Sequence, residues 1–216
     1  LKDSFFFILC YNGNMDMPYI ISFISQKGGV GKSTLARATA VELVKNSYSV
    51  KVADLDTQQG TVLDWHRRRL DNNVEPSINS VECYKTLNQA VDNANHFDFL
   101  IIDAPARSSQ GTYEISKISN LVIQPSGASV DDLKPAVLVF HELIKKGIRR
   151  ENLFFALCRL STETENEAAQ EYIQTAGYKF LDGCTFEKAG YKQAQNEGKT
   201  ILESRFNTLN QKADML

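Results

Sequence analysis

Nine residues, Gln26-Lys27-Gly28-Gly29-Val30-Gly31-Lys32-Ser33-Thr34, constrain this chain more than any other stretch. The apolar run Tyr19-Ile20-Ile21-Ser22-Phe23-Ile24 precedes them, and Thr34 to Lys45 has the composition of a helix. Strand, glycine-rich turn and helix, in that order, form the setting in which Gly-Lys-Ser becomes a phosphate-binding loop. Glycines let the backbone curl until successive N–H groups face one anion, and the helix N-terminus adds its dipole and unpaired N–H groups. In such a loop Lys32 reaches the β- and γ-phosphates and the Ser33 hydroxyl ligates Mg²⁺. The usual pattern opens on glycine; here Gln26 stands in that place.

The remaining chain alternates strands and helices. Val50–Asp54 reads as a second strand and Thr61 to Leu70 as a helix with Val62, Leu63 and Trp65 on its apolar side. A short strand around Val81-Glu82-Cys83 and a helix from Thr86 to Asn95 follow. Phe97 to Asp103 is nearly continuous apolar sequence ending in aspartate, which suits a parallel strand buried on both faces. Leu121 to Pro125 and Leu153 to Cys158 read as strands, Asp131 to Lys146 and Glu163 to Ala176 as helices stopped by Gly147 and Gly177. A strand near Phe180-Leu181 and C-terminal helices complete the order. The expected fold is α/β: a doubly wound, mostly parallel sheet with helices on both faces, of the P-loop NTPase type. Ligands bind at the carboxyl ends of strands in such sheets, so the loop at Lys27, Asp56 and Asp103 should converge.

The chain has 216 residues, 43% hydrophobic and 23% charged, within the range of an ordinary soluble domain. A net charge of −2 restricts any nucleic-acid contact to a local basic patch. Cys10, Cys83, Cys158 and Cys184 are widely separated with no C-x-x-C pair, which argues against a disulfide framework or a metal cluster. Residues 17–216 are expected to form a single domain. Residues 1–16, with the apolar run Ser4 to Cys10, are too short to span a bilayer. They read as a non-native or disordered extension upstream of Met17, or alternatively as an edge strand over Phe5 to Leu9.

Lys27-Gly28-Gly29-Val30-Gly31-Lys32-Ser33 resembles the deviant Walker A loop of the ParA/MinD group of ATPases. The resemblance runs from about Tyr19 to Glu203 and implies ATP and Mg²⁺ as ligands. It also implies a role for Lys27 across a dimer interface, on the phosphates held by the other subunit, where a cation acts as an arginine finger does. Asp54 and Asp56 resemble the switch I segment of that group: Asp56 matches the residue that orients the attacking water, and Asp54 is placed with the Mg²⁺ shell. Gln58 fits the same pattern, whereas Thr57 stands where proline is common. Asp103, followed by Ala104-Pro105-Ala106, resembles the Walker B carboxylate and switch II. Adenine contacts are expected from Cys158-Arg159-Leu160 and Thr185-Phe186-Glu187. Lys27, Lys32 and Asp56 are thus the expected catalytic residues, 27–34 the nucleotide-binding loop, and Ser33, Asp54 and Asp103 the metal set.

The same resemblance implies a cytoplasmic, nucleoid-associated ATPase that dimerises on ATP and holds DNA without sequence preference. Hydrolysis stimulated by a ParB-like or other cargo adaptor would then release it. Three basic groups are candidates for the DNA: His66-Arg67-Arg68-Arg69, Lys145-Lys146 with Arg149-Arg150, and the scattered Lys179, Lys188, Lys192, Lys199 and Arg205. Each is individually more compatible with a solvated face than with a nucleic-acid contact. Trp65 reads as a core anchor. A membrane-bound, MinD-like role needs a C-terminal helix with distinct basic and apolar faces, and the segment after Ser204 carries few cations. A small-molecule enzyme of the same fold is the other alternative.

Overall fold

The computed structural model describes residues 17–106 and 109–214; the expectations for residues 1–16 lie outside them. Seven strands form one sheet: β1 Tyr19–Phe23, β2 Val50–Asp54, β3 Ser80–Cys83, β4 Phe99–Asp103, β5 Leu121–Ser126, β6 Leu153–Leu160 and β7 Lys179–Phe186. Their order is β3-β2-β4-β1-β5-β6-β7, and every neighbouring pair is parallel. Chain order reverses across β1, which lies between β4 (Ile21 opposite Ile101) and β5 (Ile21 opposite Leu121). The expected doubly wound fold is present.

Successive side chains of the central strands serve opposite faces. Ile20, Leu100 and Ile102 enter one core, and Ile21, Phe23 and Ile101 the other. The first core is closed by α3 (Leu87–Asp92), α4 (Ser109–Ile118), α5 (Val130–Lys145) and α6 (Glu163–Thr175), through Ala90, Ile115, Phe140 and Ile173. The second is closed by α1 (Lys32–Lys45), α2 (Thr61–Asp71) and α7 (Ala189–Asn196), through Leu35, Trp65 and Tyr191. A last helix, α8 (Asn207–Asp214), follows a single 3₁₀ turn at Ile201–Glu203. Side-chain oxygens start three helices: Thr86, Ser129 and Thr162 accept from the backbone N–H of Gln89, Asp132 and Glu165. Helix α4 was missed by periodicity reading, because Gly111, Thr112 and Ser116 interrupt its apolar spacing. Strands β6 and β7 also run further than expected, so Arg159, Leu160, Thr185 and Phe186 are strand residues rather than loop residues.

The segment before α8 is strapped across α2. Arg69 is fully buried and its guanidinium makes two parallel bonds to Glu203, at 2.8 and 2.9 Å, with further bonds to the carbonyls of Pro76 and Gly198. Trp65, also fully buried, donates its Nε1–H to the Lys199 carbonyl at 3.0 Å. Gly198 sits so close to α2 that a Cβ there would lie 2.4 Å from the Arg69 nitrogen. Only glycine fits, and its φ of +76° makes the same demand. Trp65 is therefore the core anchor expected from sequence. The basic run His66-Arg67-Arg68-Arg69 is not a continuous surface patch: His66 and Arg69 are buried, and Arg67 is paired with Asp64. No helix among the described residues is long and apolar enough to cross a membrane.

Glu203→Ala leaves the Arg69 guanidinium buried without its counter-ion and should destabilise the fold by about 3–5 kcal/mol. Urea unfolding followed by far-UV circular dichroism measures this, and a loss below about 1 kcal/mol would mean that Arg69 finds water or another acceptor.

Candidate nucleotide site

The turn between β1 and α1 is built for an anion. Gly31 occupies the N-cap of α1 at φ 113°, and no side chain caps the helix, so its first N–H groups face the cleft unclaimed by a side chain. A Cβ at Gly31 would touch Cys158 Cβ and Sγ at 3.4 Å, so β6 presses directly on the back of the loop. Residues 26–29 are exposed, whereas Val30 and Lys32 are buried. The cleft above the turn has a volume of about 340 Å³ and is lined by Gly28, Gly29, Gly31, Lys32, Ser33 and Thr34. Asp56, Asp103, Arg159, Glu187, Tyr191 and Lys192 also line it.

The structure brings Ser33, Asp103, Lys32 and Asp56 together. Ser33 Oγ donates to Asp103 Oδ2 at 2.6 Å. Asp103 Oδ1 is buried with no hydrogen-bond partner among the described residues. Burial pushes the Asp103 carboxyl up to about 7, further raised by the Asp54 charge and opposed by Ser33, Lys32 and Arg37. Burial lowers the Lys32 ammonium, while Asp103 and Asp56 favour its charged form. An orphaned carboxylate oxygen beside a serine hydroxyl is the donor set a hard divalent cation uses with phosphate oxygens and water, so Ser33 and Asp103 fit Mg²⁺.

Asp54 differs from expectation. It is fully buried and both its oxygens are engaged: Oδ1 accepts from the Asp56 N–H and Oδ2 from the Val62 N–H, each at 3.0 Å. Instead of facing a cation it closes the loop 55–61 and caps α2, whose N-cap Gly60 has no side chain to do so. Asp56 is half-exposed; its Oδ1 accepts from the Gln59 N–H at 3.3 Å and its carbonyl from Gly60 at 2.8 Å. The turn-capping role of Asp56 thus coexists with its place in the cleft.

Lys27 lies apart from these groups. Its ammonium is exposed, forms an ion pair with Asp132 at the start of α5, and faces a second cleft on the other side of the loop, lined by Gln26, Gln124, Ser126 and Pro135. Of the two stretches expected near adenine, Cys158, Arg159, Thr185, Phe186 and Glu187 line the nucleotide cleft and Leu160 does not. Sequence reading missed the direct tie between Arg159 and the loop. Arg159 has a left-handed φ of 60° at a register shift between β6 and β7, and its Nη1 donates to the Gly29 carbonyl at 2.8 Å while Nη2 reaches Glu187 at 3.3 Å. It also missed Arg37 on α1, for which the available signal was a cation in a helix otherwise rich in alanine and leucine.

The sequence pattern of the CobQ/CobB/MinD/ParA nucleotide binding domain matches residues 21–201 of this chain. The chain belongs to that family. No curated protein sequence matches it. Solved structures show the same fold at low identity. The septum site-determining protein MinD of Pyrococcus horikoshii, complexed with Mg-ADP, is 18% identical with a TM-score of 0.71 over 92% of this chain and 93% of that one. A ParA family ATPase from Chlorobium tepidum is 15% identical with a TM-score of 0.66 over 92% and 99%. An ATP complex of a McdA variant from Cyanothece is 17% identical with a TM-score of 0.66 over 92% and 95%.

Burial pushes the Asp103 carboxyl from its ordinary 3.8 up to about 7. The penalty for burying the ionised form is therefore absent below the first value, grows between the two and is complete above the second. Asp103→Asn should raise the melting temperature of the metal- and nucleotide-free protein at pH 8 and leave it unchanged near pH 3.5. Differential scanning calorimetry at the two pH values checks this; equal effects at both would show that the ionised carboxylate is not the destabilising species.

Proposed function

We propose that this protein is an ATP-hydrolysing partition or positioning ATPase that forms an ATP-dependent dimer and holds DNA in that state. The observation that carries the reading is the placement of Lys27. The loop offers two lysines, and only Lys32 belongs to the chain's own cleft. Lys27 is exposed on the far side of the loop, where it is free to exchange Asp132 for a phosphate presented by a second subunit. A cation supplied in trans neutralises charge on the transferring phosphoryl group and makes association depend on nucleotide.

Within one subunit, the N–H groups of 28–33 would cradle the phosphates and Lys32 would bind their outer oxygens. Ser33 and Asp103 would hold Mg²⁺, which supplies charge neutralisation at the phosphates when bound. Asp56, which lines the same cleft, would orient the attacking water. Phosphoryl transfer depends mostly on positioning and electrostatics, so one well-placed carboxylate suffices.

Support for DNA comes from the family and from cations with room to engage phosphate. Arg68, Lys85 and Lys188 are exposed and make no ion pair among the described residues. Most of the other candidate cations are paired: Lys145 with Glu142, Arg149 with Glu151, Lys192 with Glu187, and Lys199 and Arg205 with Glu197. Lys117, Lys134, Lys146, Arg150 and Lys179 are likewise exposed and outside any ion pair among the described residues, and a dimer would double the unpaired cations of one subunit, tying DNA affinity to nucleotide state. An adaptor protein bearing the cargo would stimulate hydrolysis and release the complex.

DNA binding by the purified protein with ATP, ADP or no nucleotide, at two salt concentrations and beside Lys27→Ala, tests this function. The expected result is binding with ATP alone, weakened by salt and lost in the variant, together with an ATP-dependent doubling of mass in light scattering. DNA binding absent in all three nucleotide states would reject the partition reading.

A further inference from the structure

Arg37 is a buried cation with no carboxylate against it. It lies on α1, one turn beyond Ser33, and is 5% exposed because α1 is packed on almost every side. Its Nη2 donates to the carbonyl of Thr61, the first residue of α2, and its Nη1 reaches Gln195 Oε1 on α7 at 3.4 Å. Its guanidinium carbon lies 5.4 Å from the centre of the Trp65 ring, and that of Arg69 lies 5.5 Å from it. The Arg37 Nε–H is buried with no partner, and the residue makes no ion pair among those described. A guanidinium buried in this way is costly, and an apolar side chain of similar length would pack against Trp65 without that cost. Burial, with the nearby Arg68 charge, brings Arg37 down to about 10 despite the attraction of Asp103 and Asp54.

What the cation holds gives it a place in the site. The loop between β2 and α2 carries Asp56. At its two ends, the N–H groups of Asp56 and Val62 are tied to Asp54, and the carbonyl of Thr61 is tied to Arg37. Asp54 belongs to the sheet and Arg37 to the helix that starts at the phosphate loop. Asp54 ties the loop to the sheet, and its far end runs into α2, which Val62 and Trp65 hold in the core. The Arg37 bond adds a direct tie from the start of α2 to the helix that begins at the phosphate loop.

We propose that Arg37 is a positioning residue that seats the Asp56 loop on the phosphate-loop helix, so that the carboxylate and the phosphates share one rigid frame. This rests on the reading of Asp56 as the residue that orients water. The inference for Arg37 concerns the loop's attachment and is testable without turnover. Trp65, the only tryptophan in the chain, stacks on Arg37 and reports on it directly.

Hydrogen exchange on the intact protein, wild type beside Arg37→Met and Arg37→Lys, is the deciding experiment. Methionine keeps the stacked volume and removes every donor; lysine keeps the charge and can reach Thr61 or Gln195, not both. In Arg37→Met the amides of 57–62 should exchange at least about tenfold faster while those of α1 and β4 stay protected, with Arg37→Lys in between. Trp65 emission should shift in the same order. ADP affinity should stay within about threefold of wild type, and single-turnover ATP hydrolysis should fall by roughly ten- to a hundredfold. Unchanged exchange at 57–62 overturns the proposal. So does a general loss of protection with parallel falls in affinity and rate, which would make Arg37 a packing residue only. If Asp56→Ala hydrolyses ATP at the wild-type rate, the reading of Asp56 is what fails, and exchange at 57–62 still decides the attachment.

Discussion

Four charged side chains withdrawn from water beneath one turn of backbone govern this molecule. Lys32, Arg37, Asp54 and Asp103 are each less than one-tenth exposed, two of each sign. Isolated, any of them would be prohibitive to bury. Together they are tolerated because opposite charges are close and the Ser33 hydroxyl, the N–H groups of Asp56 and Val62, and the carbonyl of Thr61 bind Asp103, Asp54 and Arg37. Asp103 Oδ1 and Arg37 Nε are fully withdrawn from solvent with no hydrogen-bond partner among the described residues, and the Lys32 ammonium is held there by the charges of Asp103 and Asp56. The sheet exists in this form to hold that cluster: β1, β2 and β4 are adjacent and in register, so Phe23, Asp54 and Asp103 end together.

Much of this was legible in the sequence, and the parts that were not share a cause. Gly-Lys-Ser between a strand and a helix forces the loop, and the apolar run ending in Asp103 forces a central parallel strand beside it. Convergence of Lys32, Ser33, Asp56 and Asp103 then follows from topology, since each lies at a strand's carboxyl end or just beyond it. The backbone ties of Asp54 were not legible because spacing locates a carboxylate but does not say which of its neighbours claims its oxygens. Here two N–H groups left orphaned by the turn and by Gly60 claim both. Arg159 and Arg37 were invisible for a related reason. Their partners, Gly29 and Thr61, are backbone carbonyls far off in sequence, and no residue type at those positions announces an acceptor.

The basic run on α2 shows how burial redistributes charge that looks continuous in one dimension. Four consecutive residues on a helix point in four directions, so His66 and Arg69 turn inward while Arg67 and Arg68 turn outward. The inward Arg69 stacks on Trp65 from one turn further along α2, as Arg37 does from α1, and the strap accepts the Trp65 indole N–H at the Lys199 carbonyl. One aromatic ring thus joins three elements: the helix that begins at the phosphates, the helix that follows the Asp56 loop, and the segment held by Glu203. The hydrogen bond from the Tyr191 hydroxyl to the Leu209 carbonyl at 2.8 Å extends the connection to α8 from a residue that lines the nucleotide cleft.

The two lysines of the loop sit in opposite electrostatic settings, and this difference bears on what each can do. Lys32 is buried and surrounded by Asp56 and Asp103, so its charge is already committed to the cleft before any ligand arrives. Lys27 is exposed, and its partner Asp132 is held by the Ser129 hydroxyl in the first turn of α5, where the helix dipole also favours a negative charge. Lys27 is itself the main group that holds the Asp132 carboxylate below its ordinary range, and the Ser129 hydroxyl and the Arg159 charge remain when it departs. An exposed ion pair contributes at most about 1 kcal/mol. A phosphate oxygen in a site closed from water binds a lysine more strongly than that. In the proposed dimer, the balance of these energies would let Lys27 stay bound to its own chain when no second nucleotide site is near, and leave it when one is.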